Sequence, residues 1–469
     1  MVEFLDWAIL IIVIAVMFIL GIIPYARAKT YDQFLVAERK IGYFQTICVS
    51  VGLCLAGYIG VVGLAYIFGL SGSWFFIMLA LGFLICSVTI FTRLRRLERY
   101  NITDVYNERY GRTSMFVAAV PTLFSYAAIL SIGFVGSGLV ISAMTGLDLR
   151  ITTTIMGILF TMKVVVGGWP GTSYTTTFQT LIGLPVVFGI AFFAIQQVGG
   201  WEGLMMKLPP ENVTFFSPLT LIFIWAFFWS MTLSMPSTAD AYQIINSAKS
   251  IKVVKNSYVV AGIIVILIGI AAAIIGTAGA VAFPGFKTEM EAEASLVMFS
   301  ALLPAGLLGL AMAGVLAGAS SLVDIDLMVG ATLLARLLPR EISTKMLRIF
   351  AAIFGIVALS IALIYGPWVL GLVLLCFRVF IPATVPAVIG SFYWERATTA
   401  GAIASTVVGA LTGLLLTIFF VPAYPELEFV LEPAFVGTAV STLVFIIVSL
   451  LTRHSFVEKP KEFLVKVKG

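Results

Sequence analysis

The strongest constraint on the fold of this chain is a series of apolar windows that recur along almost its whole length. A helix needs about 20 apolar residues to cross a hydrocarbon core of roughly 30 Å, and about thirteen windows meet that length. The chain is 61% hydrophobic and 11% charged, whereas soluble domains have roughly 25% charged residues. This pattern predicts an all-α polytopic membrane protein without a separate soluble domain. The windows begin near Leu5, Tyr43, Phe75, Met115, Ile151, Thr175, Ser217, Ser257, Leu296, Leu347, Trp368, Thr399 and Phe435.

Basic residues are concentrated in alternate loops between these windows. Lys and Arg are retained on the cytoplasmic side, so the alternation predicts a multi-pass cell-membrane protein with its N-terminus outside and its C-terminus in the cytoplasm. The net charge of +5 is then a topology signal. We expect no nucleic-acid partner, because the basic loops carry no binding motif. These loops cover residues 27–40, 93–112, 249–255, 336–348, 396 and 453–468.

The first apolar window lacks the features of a cleaved signal peptide. It is preceded by Glu3 and interrupted early by Asp6, whereas a signal peptide has a basic start and a shorter apolar core. We therefore interpret this window as a retained membrane anchor.

Motifs of known enzyme chemistry are missing from the sequence. The single histidine, His454, lies in the C-terminal tail, and neither a P-loop nor a GxSxG motif occurs. The four cysteines lie within apolar windows without metal-ligand spacing, which is typical of packing residues. We expect a protein that is not an enzyme and has no organic cofactor.

The segment LAGASSLVDIDLMVG contains an unusual group of polar residues. Ala317, Ser320, Ser321 and Asp324 are spaced i, i+3, i+4 and i+7, which places them on one face of a helix. Asp326 cannot share that face. Serines alone more often form interhelical hydrogen bonds, but an intramembrane carboxylate is costly and usually functional. The hydroxyls, the carboxylate and the Ala317 carbonyl are hard oxygen donors, so the face predicts a site for a small cation.

The second apolar window carries repeated glycines in the segment VGLCLAGYIGVVGLAYIFG. Glycine weakens a helix and permits an unwound stretch, and interrupted helices expose backbone carbonyls to coupling ions in secondary transporters. The alternative is that these glycines only allow helices to pack closely.

Four segments in sequence order carry a resemblance to a known family: YDQFLVAERKIG, VVVGGWPGTSYTTTFQ, WSMTLSMPSTADAYQIINSAKS and IPATVPAVIGSFYWERATTAGAIAS. Together they resemble the sodium:solute symporters, which include sodium-coupled sugar, proline, pantothenate and sialic acid carriers. The resemblance implies a LeuT-like fold with two inverted five-helix repeats whose first helices are broken. These repeats would cover 43–197 and 217–393, with a peripheral helix in 1–42 and two more, with a cytoplasmic tail, in 394–469.

The resemblance also implies a sodium site between the first and eighth core helices. Carried over by position, its ligands are the hydroxyls of Ser320 and Ser321 and the carbonyls of Ala317, Ser50 and Leu53. The helical spacing of Ala317, Ser320 and Ser321 predicts the same three ligands independently of the resemblance.

One position departs from the family pattern. Thr176 stands where many members have an aspartate that serves a second sodium site, while Asp324 lies one turn beyond the serines. We therefore hypothesise that Asp324, with Thr176, holds a second cation, either sodium or a proton.

The resemblance implies a solute site among the core helices, with Arg378 as its most distinctive residue. A guanidinium inside a span suits a carboxylate, although an ion pair with Asp240, Asp324 or Asp326 is an equal alternative. Lys163 is expected to snorkel to the membrane surface. The candidate solute-binding residues are Gly57, Tyr58, Trp74, Ser125, Tyr126, Trp229 and Arg378.

The resulting hypothesis is a secondary active transporter that couples sodium to the uptake of a small organic solute. An organic acid or amino acid is favoured, sodium is the coupling ion, the bilayer is the surrounding partner, and the chain is compatible with a monomer. The alternatives are a proton-coupled carrier of the same fold and a transporter-like sensor.

Overall fold

The computed structural model describes residues 2–216, 220–287, 294–339, 341–366, 369–454 and 460–468, and within these ranges the chain is helical. The α-helices of four or more residues in these ranges are α1 (Phe4–Ile22), α2 (Tyr31–Val36), α3 (Tyr43–Leu55), α4 (Tyr58–Phe68), α5 (Trp74–Val88), α6 (Ile90–Leu97), α7 (Ile102–Tyr110), α8 (Arg112–Thr145), α9 (Leu149–Gln197), α10 (Gly200–Lys207), α11 (Thr220–Phe227), α12 (Ala239–Ser247), α13 (Ile251–Ala282), α14 (Ala294–Ala301), α15 (Leu307–Arg336), α16 (Thr344–Tyr365), α17 (Val369–Tyr393), α18 (Thr399–Leu415), α19 (Pro433–Leu451) and α20 (Pro460–Lys468).

The described part of the chain contains 10 helices that are long and apolar enough to cross a membrane. The chain is therefore a multi-pass membrane protein, as its apolar windows predict. The windows expected to start at Ser217 and Trp368 begin outside the described residues. The count of thirteen spans and the inverted arrangement of two repeats stay predictions.

Two apolar helices are interrupted part-way along their length. The first stops at Leu55 and starts again at Tyr58, so a break lies within the glycine-rich window as predicted. In the second, α11 continues into a π turn over Phe228–Thr232, and helix resumes only at Ala239. Each interruption frees backbone groups inside the bundle.

The long helix α9 changes direction at Gly168. This residue has φ 58° and ψ −159°, a conformation that glycine adopts at little cost and other residues do not. The kink separates the two windows predicted to begin near Ile151 and Thr175, which the structure joins in one helical element.

The centre of the molecule is α15, of whose apolar window 94% is buried. It packs against α1, α3, α8, α9 and α16. The Asp6 carboxylate of α1 accepts hydrogen bonds from the backbone amides of Gly306 and Gly309, at 2.7 and 2.8 Å. These bonds attach the N-terminal helix to the start of the central one.

Several predicted basic loops meet at one end of the bundle. Arg96 donates to the carbonyl of Val467 at 2.8 Å, and Arg109 donates to the carbonyl of Ala397 at 2.9 Å. Residues 93–112, the loop around 396 and the C-terminal helix therefore lie together, as expected if they share one side of a membrane.

Candidate functional site

The polar face of α15 lies against α3, next to the break between α3 and α4. Ser320 and Ser321 are fully buried. The Ser321 hydroxyl lies 2.5 Å from the carbonyl oxygen of Gly52 and 2.7 Å from that of Gly318. The Ser320 hydroxyl lies 3.2 Å from the Ala317 carbonyl. Hydroxyl and carbonyl oxygens of two helices therefore converge where the sequence predicts a cation site.

Gly52 allows α3 to approach its neighbours closely. A Cβ atom added at Gly52 would lie 2.4 Å from Thr176 Cγ2 and 2.8 Å from Thr180 Oγ1, distances too short to occupy without movement. The Thr180 hydroxyl also donates to the carbonyl of Cys48 at 2.8 Å. Ser50 and Leu53, whose carbonyl oxygens are predicted sodium ligands, lie on this same helix, which contacts both α9 and α15.

Asp324 forms a buried ion pair that the sequence analysis did not predict. Its Oδ2 atom lies 2.8 Å from Lys163 Nζ, and both side chains are almost completely inaccessible to solvent, at 1% and 0% exposed. The same oxygen accepts from the Thr175 hydroxyl at 2.8 Å. The expectation that Lys163 snorkels to the surface is wrong, because a buried carboxylate on α15 gives its ammonium a partner inside the bundle.

Gln179 connects this ion pair to the serines. Its Nε2 atom donates to Ser320 Oγ at 2.8 Å and to Asp324 Oδ2 at 3.2 Å. In contrast, Gln179 Oε1, Asp324 Oδ1 and Thr176 Oγ1 are buried and have no hydrogen-bond partner in the described structure. Such oxygen atoms can serve as ligands for a hard cation, so the residues present fit the predicted ion.

The sequence alone indicated no role for Gln179 or Thr175, and it placed Lys163 at the membrane surface instead of in this site. Gln179 and Thr175 lie within the segment that carried the resemblance, so their position was a usable signal. Lys163, on α9, precedes its partner Asp324 by 161 residues. A single sequence contains no signal for a pairing between residues so far apart.

A cavity of about 130 Å³ lies at the two helix interruptions. Among the described residues that line it, Asp240, near the start of α12, is the only charged one, and its backbone amide donates to the Tyr126 hydroxyl at 3.3 Å. The walls are otherwise mainly apolar and aromatic. The lining residues include Leu53, Ala56, Gly57, Phe75, Phe76, Tyr126, Asp240, Phe377 and Phe380.

Of the predicted solute-binding residues, Gly57 and Tyr126 line this cavity and the other five do not. The Trp74 indole donates to the Phe215 carbonyl at 2.8 Å, and the Ser125 hydroxyl donates to the Cys376 carbonyl at 3.3 Å. The remaining side chains pack elsewhere: Tyr58 lies near Gly318, and Trp229 packs against Trp225 and Phe435.

Arg378 is engaged by two carboxylates outside the cavity. It contacts Glu432 in a bidentate arrangement, at 2.8 and 3.0 Å, and Glu428 at 2.7 Å. The suggested pairing with Asp240, Asp324 or Asp326 is wrong, because the guanidinium is occupied by acids that follow α18. The geometry also gives no support to Arg378 as a clamp for a solute carboxylate.

Asp326 lies on the other side of α15 from the serines, as helix geometry predicts. It is fully buried, and neither of its carboxylate oxygens has a hydrogen-bond partner among the described residues. The two aspartates of this helix therefore have different surroundings, and only Asp324 is linked to the candidate cation site.

Interrupted helices that meet at a buried cavity inside a helical membrane bundle define the architecture of secondary transporters. The sequence model described as the sodium:solute symporter family matches residues 34–409 of this chain. The chain belongs to that family, whose members are transporters and not enzymes, and whose activity is sodium-coupled symport.

Individual relatives agree with this assignment. A sodium/proline symporter from Staphylococcus aureus strain JH9 is 24% identical over 481 residues, covering 94% of this chain and 92% of the relative. A solved Na⁺-coupled sialic acid symporter has a TM-score of 0.80 at 17% identity, covering 96% and 98% of the two chains. Mhp1, a nucleobase-cation-symport-1 family transporter, has a TM-score of 0.61 at 16% identity, covering 92% and 98%. The two solved structures support the fold.

Proposed function

We propose that this protein imports a small organic solute together with sodium by alternating access, and that sodium binds between α3 and α15. The observation that carries the ion site is the convergence of the Ser321 hydroxyl and the Gly52 carbonyl, 2.5 Å apart, beside the break after α3. The proposed ligands are the carbonyls of Ser50, Leu53 and Ala317 and the hydroxyls of Ser320 and Ser321.

Replacing both serines with alanine tests the ion site. Ser320→Ala/Ser321→Ala removes two oxygen ligands, so sodium-dependent uptake should be abolished while the protein still inserts. Each single variant should weaken sodium binding by roughly ten- to hundredfold, since even outer-shell partners of metal sites have effects of that size. Sodium-dependent thermal stabilisation of the purified protein measures the binding directly.

Ser131→Ala is a matched control for this experiment. Its hydroxyl is also buried but donates within its own helix, to the Ala128 carbonyl at 2.6 Å, so sodium dependence should stay at the wild-type value. Wild-type sodium dependence in the double serine variant would refute the assigned site.

The cavity supports a solute that carries an amine. Asp240 contributes the one charged group among its lining residues, and Phe75, Phe76 and Tyr126 contribute aromatic surface. A carboxylate and aromatic faces both attract a cationic nitrogen. With Arg378 already paired, the structure offers no comparable support for an organic acid. We therefore favour an amino acid or related amine, in agreement with the name of the sodium/proline symporter among the relatives.

Asp240→Asn tests this solute class. Proline, as an amine-bearing probe, should stabilise the wild-type protein or be taken up, whereas acetate and pyruvate should not. The variant should bind the active probe about tenfold or more weakly, because a hydrogen bond to a charged group contributes about 1.5–3 kcal/mol. Glu202→Gln changes an exposed carboxylate and serves as the control. Selective binding of the two acids would contradict the proposal.

A further inference from the structure

The buried ion pair between Lys163 and Asp324 occupies a position where an isolated charge would be very unfavourable. Neither side chain reaches the outside of the bundle, and the distance between Nζ and Oδ2 is 2.8 Å. Removing one member of such a pair leaves an uncompensated charge in the interior. The carboxylate therefore requires a cation, and in this chain a lysine provides it.

The ammonium is held in place by its surroundings. The Lys163 stem passes Gly21 of α1, where an added Cβ would lie 2.5 Å from Lys163 Cγ. Nζ also lies 4.8 Å from the centre of the Phe160 ring, a distance at which an aromatic face attracts a cation. Its positive charge is therefore fixed at one position by three elements of the bundle.

A single side chain, that of Gln179, connects the carboxylate paired with this fixed charge to the candidate sodium site. Gln179 donates to both Ser320 and Asp324, at 2.8 and 3.2 Å. A mobile sodium ion bound directly by Asp324 would lie beside the ammonium, and two like charges at such a distance repel each other. Although Asp324 Oδ1 has no hydrogen-bond partner among the described residues, a second sodium ion bound there would have to share one negative charge with the ammonium.

We propose that Lys163 is a tethered cation that takes the place of a second coupling ion at Asp324. The protein then binds one mobile sodium ion, at Ser320 and Ser321. This inference rests on the proposed sodium-coupled function and replaces the hypothesis that Asp324 holds a mobile sodium ion or proton.

Lys163→Met tests the inference without knowledge of the solute. The purified full-length protein is titrated with sodium chloride, with choline chloride keeping the ionic strength constant. Calorimetry and the dependence of the melting temperature on sodium then count the ions bound. The wild-type protein should bind one sodium ion. Lys163→Met should bind two, with about tenfold tighter binding at the serine site because a nearby positive charge is gone.

Two further variants make the result specific. Lys163→Met/Asp324→Asn has neither charge and should return to one ion. Asp324→Asn alone should still bind one ion, and this result tests the proposal even if Lys163→Met does not fold. Lys207→Met replaces an exposed lysine and should leave the wild-type count unchanged.

The outcomes separate this inference from the proposed function. Two sodium ions in the wild-type protein, a loss of one ion in Asp324→Asn, or a single ion in folded Lys163→Met would each overturn the tethered cation. A wild-type protein that binds no sodium would refute the sodium-coupled function. Even then, an ion gained in Lys163→Met and lost in the double variant would support the role of Lys163.

Discussion

Arg378 shows how a buried charge in this protein is neutralised by oppositely charged side chains of the same chain. Its guanidinium is 3% exposed and lies against Glu432, itself 3% exposed, and the partly exposed Glu428. Both acids follow α18 in the chain, whereas Arg378 lies on α17. The three side chains therefore join the core helices to the C-terminal pair of helices, which gives the arginine a role in stability.

Replacement of Arg378 by glutamine should destabilise the folded protein. The change leaves Glu432 buried without a countercharge, and breaking such a pair costs about 3–5 kcal/mol. Arg378→Met/Glu432→Leu removes both charges and should recover most of the loss. Thermal unfolding in detergent measures both effects. A stable Arg378→Gln variant with weakened solute binding would contradict the structural role.

At the scale of the helix, the close packing of α3 depends on Gly52, which has no side chain. Gly52 lies where α3 contacts both α9 and α15, and its carbonyl accepts from Ser321. The contact brings the carbonyls at the end of α3 within reach of the serines. Helix packing and the ion site are therefore linked at this position.

Gly52→Ala should weaken sodium binding by roughly tenfold or more, because the added methyl group would overlap Thr176 and Thr180, and overpacking costs about 1–3 kcal/mol. Gly52→Ala/Thr176→Ser removes one of the two overlapping atoms and should restore part of the affinity.

At Gly42, at the start of the same helix, an added Cβ meets nothing within 4 Å. Gly42→Ala is therefore the control. Sodium titration of the melting temperature measures all three, and wild-type affinity in Gly52→Ala would show that this contact does not position the ligands.

The same helices show how much could be predicted from the sequence. Apolar length and glycine content predicted the membrane helices and the break after α3, because both depend on local composition. The spacing of Ser320, Ser321 and Asp324 predicted their common face. The partners of Asp324 and Arg378 could not be predicted, since they depend on which remote helices meet, and that is decided by the packing of the whole bundle.

At the scale of the whole molecule, α15 takes part in both sites, because its Leu322 also lines the solute cavity. Its serine face meets α3 and α9 at the candidate ion site, while the solute cavity lies at the helix interruptions. Leu53 belongs to both regions, as a proposed carbonyl ligand of sodium and as a lining residue of the cavity. A shift of α3 that alters one site therefore alters the other, which is the physical requirement for coupling between two ligands.

The Lys163–Asp324 pair also sets a limit on how strongly such a carrier can concentrate its solute. A tethered charge returns with the protein, so it carries no net charge across the membrane in a complete cycle. One mobile sodium ion provides about 1.4 kcal/mol for each tenfold concentration gradient and about 2.3 kcal/mol for each 100 mV. A tenfold gradient and 100 mV together support a roughly 500-fold accumulation of a solute without net charge, whereas two mobile ions would support the square of that ratio. With the lysine in the place of the second ion, the accumulation ratio of such a carrier is therefore limited to the lower of these two values.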